Sequence, residues 1–461
     1  MIASPQTAIG AGWTVEDWRP TITSGDGDFS ISLRARLQVD TGAFDQEDDV
    51  ATVTLDRDVQ FKHLKSRSVT RRLYLGVEGR AFGNFWYEYR MDFGGTDLAV
   101  SQAPIINLGR ISYNIGDMND PARAHLRLNA GLIKPIFTYD DSTSSAALTF
   151  LERADVVNVA TASFGGGIPR LGAELTFQQA DIFRRGDNLI ISGAFTGQNA
   201  TGKNGALPAD IIHEGDAILG RIVYRLWSDE TSTLHIGGSA SHLVRIAESE
   251  TTPGLRAINL QDAPEIRVDG SRLVSTGPIA AKGGSLWGLE SVGNVGSIYF
   301  QGEYYRFNID RDLSCFGCVT AANPEFSGWY VQASWILTRE RKAYQPIVMN
   351  NNMGTFANPR VSAPVSLGGG QWGVWEIASR YSDLDLNWHE GSLRTSCTGP
   401  FTGCVRGGEQ KIVTLGLNWY LSNNVRLMFD YLRMDVNRLN ASGKQIGQAF
   451  NAIGTRLQLT N

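Results

Sequence analysis

The sequence predicts an all-β fold, a transmembrane antiparallel β-barrel of about sixteen strands, on three observations. Apolar and polar residues alternate with period two from Phe29 to the last residues, the mark of strands with one greasy face. The connections alternate between short turns and long polar loops, which places short turns on the periplasmic side and long loops outside the cell. Trp and Tyr gather near strand ends (Tyr87, Tyr89, Trp227, Trp329, Trp335, Trp375, Tyr381, Trp419, Tyr431), as interfacial girdles do. A soluble sandwich has no reason to segregate its long loops, and a propeller would show a repeat of ~40–50 residues, which the sequence lacks.

The chain has 461 residues, a mild net charge of −5, 51 Gly and no apolar run long enough for a spanning helix. A length of this order would suggest about three domains at ~150 residues each, but closed barrels are the exception. Residues 28–461 therefore read as one barrel, and residues 1–27 as an irregular periplasmic lead-in. Low mean hydropathy fits, because only every second barrel residue meets lipid. The mild charge gives no reason to expect a nucleic-acid partner. The segment MIASPQTAIGAGW has no basic segment and no apolar h-region, so an exported chain is expected to carry its signal upstream or to have lost it.

In chain order, Phe29–Val39 is the first strand, and residues 41–65 form an acidic loop containing DQEDD, read as solvated rather than cation-binding. Val69–Phe93 is a hairpin about the turn Ala81–Asn84. Val69, Leu73, Leu75 and Val77 share its greasy face in the first run, as do Phe85, Tyr87, Tyr89, Met91 and Phe93 in the second. Strands follow at 105–115, 125–133, 170–178, 188–196, 216–227 and 233–243. The segment 134–169 carries a possible short helix, and residues 245–283 read as a long polar loop. The remaining strands are placed at 285–292, 297–307, 328–337, 372–384, 412–421, 425–434 and from Phe450 to the end. The connection 339–371 breaks the alternation, since it is long yet falls on the short-turn side.

Chemistry-bearing motifs are sparse. Six His are scattered with no HExxH spacing, and no GxSxG, phosphate loop or dinucleotide fingerprint is present. No enzyme, metal site or cofactor is therefore expected. Cys315, Cys318, Cys397 and Cys404 form two close pairs in polar Gly-rich loops. Disulfides in an oxidising compartment are the favoured reading, with local pairing preferred. A redox CxxC and a Zn site are the rivals, and both lack their usual context. The inward face of the strands is rich in Arg: Arg34, Arg36, Arg72, Arg80, Arg90, Arg127, Arg170, Arg221, Arg225 and Arg380, with Arg426 and Arg456 toward the end. Guanidinium groups in series present forked donors to oxyanions and would ease anion passage without holding one tightly. The bland alternative is that lumen Arg and Glu pair to brace the wall.

Several stretches resemble the phosphate-selective porin O/P family. RRLYLGVEGRAFGNFWYEYRMDF is similar to its early hairpin. LNAGLIKPIFTYDDSTSSAALTFLERA is similar to its fifth strand and constriction loop, with a Ser-Ser pair followed by Glu152-Arg153-Ala154. LTRERKAYQP and GGGQWGVWEIASRYSDLDL resemble the late motif, and TLGLNWYLSNNVRLMFDY and AIGTRLQL the last strands. The resemblance implies a sixteen-stranded barrel, usually a homotrimer, in the outer membrane of a Gram-negative bacterium, among lipid and lipopolysaccharide. It implies passive diffusion of small solutes, favouring anions such as phosphate. The constriction would be residues 137–160 with Lys134, Ser144, Ser145 and Arg153, and 339–371 would come into the lumen from the periplasmic side. Lysines are scarce (8 against 34 Arg), which weakens the expectation of phosphate in particular. A non-selective pore and a plugged, surface-anchoring barrel are the rival expectations.

Overall fold

In the computed structural model the described residues are 12–46, 63–95, 105–116, 124–167, 169–199, 211–213, 215–249, 254–312, 322–346, 353–389, 403–440 and 443–461. The barrel strands are β1 (Ser30–Asp45), β2 (Arg67–Ala81), β3 (Phe85–Asp92), β4 (Ile105–Ile115), β5 (His125–Ile133), β6 (Arg170–Ala180), β7 (Asn188–Asn199) and β8 (Asp216–Ser228). They continue with β9 (Ser232–Arg245), β10 (Ile279–Val295), β11 (Ile298–Arg311), β12 (Glu325–Ile336), β13 (Val374–Trp388), β14 (Val405–Tyr420), β15 (Val425–Asn437) and β16 (Ala449–Thr460). Each pairs antiparallel with the next, and β16 closes on β1 with Thr460 opposite Arg36 and Gly454 opposite Gly42. Closure leaves no unpaired edge, the condition a sheet must meet in lipid.

The alternation sets what faces each solvent. Leu33, Leu75, Ile111, Leu128, Leu171, Leu289, Val331, Leu415 and Ile453 are all exposed on the outer wall, and Glu78, Glu88, Arg110, Arg127, Glu174, Arg221 and Glu376 are buried on the inner one. An apolar belt about a polar interior is the reverse of a soluble protein, because the outer solvent is hydrocarbon.

The structure corrects four of the expectations. Residues 12–23 are not irregular: Gly12–Glu16 and Arg19–Thr23 form a hairpin whose second strand pairs with the start of β1. Strand β1 runs on to Asp45, so residues 41–45 belong to the wall and not to the acidic loop. The loop between β9 and β10 is not a solvated one, since Ile258, Leu260, Ala263, Ile266, Val268, Leu273 and Val274 are buried within the barrel. Finally, Val69 packs on the internal apolar cluster rather than on the outer face. A β-bulge opposite Gln38 and Val39 inserts Arg71 into β2, and an extra residue reverses the parity of everything before it. Val69 thereby turns inward, and Arg71 and Arg72 both face the lumen.

Candidate functional site: the narrowed lumen

The segment between β5 and β6 folds into the barrel and carries two short helices, α1 (Tyr139–Ser142) and α2 (Asp155–Ser163). Thr138 caps α1, its side-chain oxygen accepting from the Asp141 N–H at 3.1 Å. A loop inside a barrel must still satisfy its backbone polar groups, and side chains of the wall do so. Glu303 of β11 accepts from the N–H groups of Tyr139 and Asp140 at 2.8 and 3.1 Å. Glu174 of β6 accepts from Ile136 at 2.6 Å, and Asp430 of β15 from Leu151 at 2.8 Å. Asn418 donates to the Thr149 carbonyl at 2.9 Å, and Arg426 to that of Leu148 at 2.8 Å. The loop is thus fastened around much of the circumference.

Glu152 is its central pin. Its carboxylate accepts from Arg71 at 2.8 and 3.0 Å, from Arg72 at 3.2 Å and from Arg456 at 2.8 Å, and Arg456 also holds Asp40 at 2.6 and 2.7 Å. Arg153 turns back on the loop and donates to the carbonyls of Asp140 and Thr143 at 2.8 and 2.7 Å. This clamp gathers residues 140–143 into a tight knot beside Lys134, which pairs with Asp141 at 2.8 Å.

The inward arginines divide into two groups. Most are fasteners. Arg72 is tied to Glu152 and Gln38. Arg127 is fully buried and donates to the Met353 Sδ at 3.1 Å. Arg170 donates to the carbonyls of Ala162, Gly166 and Gly197. Arg221 grips Glu290 at 2.7 and 3.0 Å, and Arg225 holds the carbonyls of Gly186 and Asp187. Arg380 pairs with Glu265 and donates to the Glu152 carbonyl at 2.9 Å. Arg80 lies half-buried near the end of β2. Sequence parity does not separate the two groups, because both face inward.

The second group clusters where the loop approaches β1–β5. Arg36 donates to the hydroxyls of Ser145 and Ser144 at 2.7 and 2.9 Å. Arg36 and Arg90 both lie over the Tyr74 ring, at 5.3 and 4.8 Å from its centroid, within cation–π range. Arg34 pairs with Glu78 at 3.3 Å, and Arg90 with Glu88 at 3.4 Å. The side chains of Arg34, Arg90 and Lys134 keep 23, 21 and 24% of their exposure, whereas Arg72 keeps 7% and Arg221 none. Arg36 differs from all of these: among the described residues its partners are neutral, two hydroxyls and a ring.

Two further segments enter the lumen. From the short-turn side, Tyr344–Gln345 and Thr355–Phe356 form a small hairpin. Phe356 stacks edge-on against Tyr299 and Tyr344, and its N–H donates to the Tyr139 hydroxyl of α1 at 3.3 Å. Lys342 pairs with Glu376 at 2.9 Å and donates to Thr149 at 2.7 Å. From the other end, residues 256–278 cross the mouth as a strap. Glu265 meets Arg380 and the Ser382 hydroxyl on β13. Arg67 of β2 donates to the Val268 carbonyl at 2.6 Å, and Arg438 beyond β15 to those of Leu273 and Ser275 at 3.0 and 3.2 Å. The tip seats where Gly42 and Gly454 face each other across β1 and β16: a Cβ on either would come within 3 Å of Val268 or Ile266. Absence of side chains there is what lets the strap reach the far wall. The strap shares one internal apolar cluster with Val156, Val157 and Ala160 of α2.

Cys404 is buried and does not carry a free thiol; Cys315, Cys318 and Cys397 lie outside the described residues, as does most of the DQEDD loop.

A family model described as phosphate-selective porin O and P matches residues 32–460. Porin O of Pseudomonas aeruginosa is 23% identical over 454 residues, covering 95% of this chain and 90% of that protein. An uncharacterised protein of Caulobacter vibrioides is 25% identical over 444 residues, covering 94% of this chain and 74% of its own. Among solved structures, the OmpT of Vibrio cholerae expressed in the outer membrane superposes with a TM-score of 0.50 at 7% identity, covering 94% of this chain and 98% of that one, a likeness of fold.

Proposed function

The chain belongs to the phosphate-selective porin O and P family, channels of the Gram-negative outer membrane, and from that premise we propose a pore for passive diffusion of small hydrophilic solutes that favours anions such as phosphate. The observation that carries it is Arg36. Its charge is balanced by no carboxylate among the described residues, it is held by Ser144 and Ser145, and it stands close to Arg34, Arg72 and Arg90. An oxyanion passing there meets forked donors and two hydroxyls. The donors of Arg36 are already engaged with neutral groups, so the anion exchanges partners there rather than sticking, as conduction requires. The anion path is the cluster Arg34, Arg36, Arg90 and Lys134, with Ser144 and Ser145.

The working unit is a homotrimer, supported by the resemblance of the constriction motif to the family. Cys404 pairs with Cys397 across a short Gly-rich loop, supported by its burial and lack of a free thiol. Reversal potentials in a KCl gradient across a planar bilayer test the selectivity. Wild type is expected to be anion-selective, with chloride current blocked by added phosphate, and Arg36→Gln is expected to weaken both. Cation selectivity in wild type would overturn the proposal. One observation favours a second reading, the plugged barrel: three inserted segments share the lumen. Zero conductance from correctly folded protein would establish that alternative.

A further inference from the structure

The N-terminal hairpin is amphipathic in the same sense as the barrel wall. In GWTVE and RPTIT, Trp13 and Val15 alternate with Thr14 and Glu16, and Pro20 and Ile22 with Arg19 and Thr21. Register carries this alternation across three strands, with Trp13 opposite Ile22 and Ile22 opposite Ile31. Ile31 shares its parity with Leu33, which faces the apolar belt. The other face belongs to the lumen side: Arg19 pairs with Glu78, the glutamate that also holds Arg34, and Thr21 shares a hydrogen bond of 2.8 Å with Ser32. The hairpin therefore continues the wall by two strands where β16 stops short, and it is fixed there. Asn424 donates to the Asp17 carbonyl at 2.6 Å and Asn461 to that of Trp18 at 3.1 Å.

Its outer residues have no protein cover among the described residues. Trp13, Val15, Trp18 and Ile22 keep 71, 54, 58 and 52% of their exposure. Trp18 stands at a positive-φ turn position, φ 62°, where Gly or Asn is favoured, so the turn itself does not call for a Trp. Around the rim the patch continues through Ile31 and Phe29, which meets Phe82 edge-on at 5.0 Å, to Phe85 and Tyr113 at 4.8 Å. Trp beside aliphatic residues at the end of a lipid-facing belt is the composition of a headgroup-level anchor.

We propose that this hairpin seats in the periplasmic leaflet of the outer membrane, with Trp13, Trp18 and Ile22 at the boundary of headgroups and acyl chains. The composition of its outer row, Trp13 and Trp18 beside Val15 and Ile22 at the end of the apolar belt, favours a headgroup-level lipid boundary over a second copy of the chain. The test is a nitroxide attached to a thiol at Trp13→Cys in the full chain, reconstituted in phosphatidylethanolamine–phosphatidylglycerol vesicles. Power saturation then compares access of oxygen with access of a water-soluble nickel chelate. A label at Leu171→Cys gives the lipid reference and one at Thr14→Cys the aqueous reference. Lipid seating gives position 13 an oxygen-dominated ratio close to that of position 171 and far from that of position 14. A nickel-dominated ratio overturns the proposal by placing the hairpin in water. Exclusion of both reagents also overturns it, by placing a second protein copy over the patch. Ile22→Cys, one strand inward on the same row, repeats the measurement should the first variant fail to fold.

Discussion

Replacing Glu152 with alanine removes the carboxylate on which three guanidinium groups converge. The consequences for the three differ. Arg456 keeps Asp40 at 2.6 Å, and Arg72 keeps the Gln38 amide oxygen at 2.8 Å. Arg71, with 10% of its side chain exposed, loses the carboxylate that balances it. Breaking a buried pair by removing one partner costs about 3–5 kcal/mol. Taking the lower end, since the lumen admits water, ~3 kcal/mol is about a 150-fold shift of the loop toward release, at 1.36 kcal/mol per tenfold. Two signals are expected together: a lower temperature for loss of the folded, fast-migrating band on unheated gels, and larger, noisier single-channel currents as the loop leaves the lumen. Freed Arg71 and Arg72 should also raise the preference for anions. Arg71→Met in the Glu152→Ala background removes the stranded charge and should recover part of the stability. Wild-type stability and quiet, wild-type conductance in Glu152→Ala would refute the assignment of Glu152 as the pin.

Other outcomes follow from the same geometry. Gly454→Leu puts a side chain where Ile266 and Leu151 already stand within about 3 Å of a Cβ; overpacking of this kind costs about 1–3 kcal/mol, and the strap should lift, raising conductance in bilayer recordings while the barrel still closes. Phe356→Ala removes the ring packed on Tyr299 and Tyr344 and should loosen the insertion from the short-turn side, read as protease cleavage of the 339–371 segment in folded protein. Asp187, in the turn between β6 and β7, is pushed up by desolvation, but the Tyr224 hydroxyl and the N–H groups of Phe183, Ile182 and Arg184 outweigh this and hold its carboxyl below the ordinary value. A depressed folded value stabilises above the unfolded pKa of about 3.9 and the benefit is lost as pH falls through the folded one. The acid limb of a heat-stability profile should therefore flatten in Asp187→Asn, and an unchanged limb would count against the turn's carboxylate cage.

Strand positions were legible because period-two alternation is a local property of the chain. All sixteen barrel strands lie where the alternation predicts, and the short turns follow even strands as expected. The roles of the inward residues were less legible. Arg36 and Arg221 have the same parity, yet one is held by hydroxyls and the other is locked to Glu290. Arg36 takes its partners from the inserted loop, 109 and 108 residues away, and Arg221 takes its own from β10, 69 residues away, so neither is legible locally. The bulge at Arg71 was invisible because parity counting assumes an unbroken ladder. The strap did leave a signal. Leu384, Leu386, Leu432, Met434 and Val436 are apolar at inward parity and lie in the internal cluster. An aqueous lumen gives such residues nothing to pack on, so apolar inward ends of β13 and β15 call for a segment that covers them.

The sequence by itself determined a closed, lipid-facing wall, its strand count, and a loop able to fold inward. Those features follow from alternation, turn length and recognisable motifs, all carried within short stretches of chain. Only the tertiary structure decided how the lumen is divided. It set Glu152 among three arginines, seated Ile266 and Val268 against the Gly42–Gly454 pair, and left Arg36 with neutral partners. The physical reason is that a buried charge takes its meaning from its nearest partner, and that partner sits on another strand or an inserted segment that the local sequence does not name.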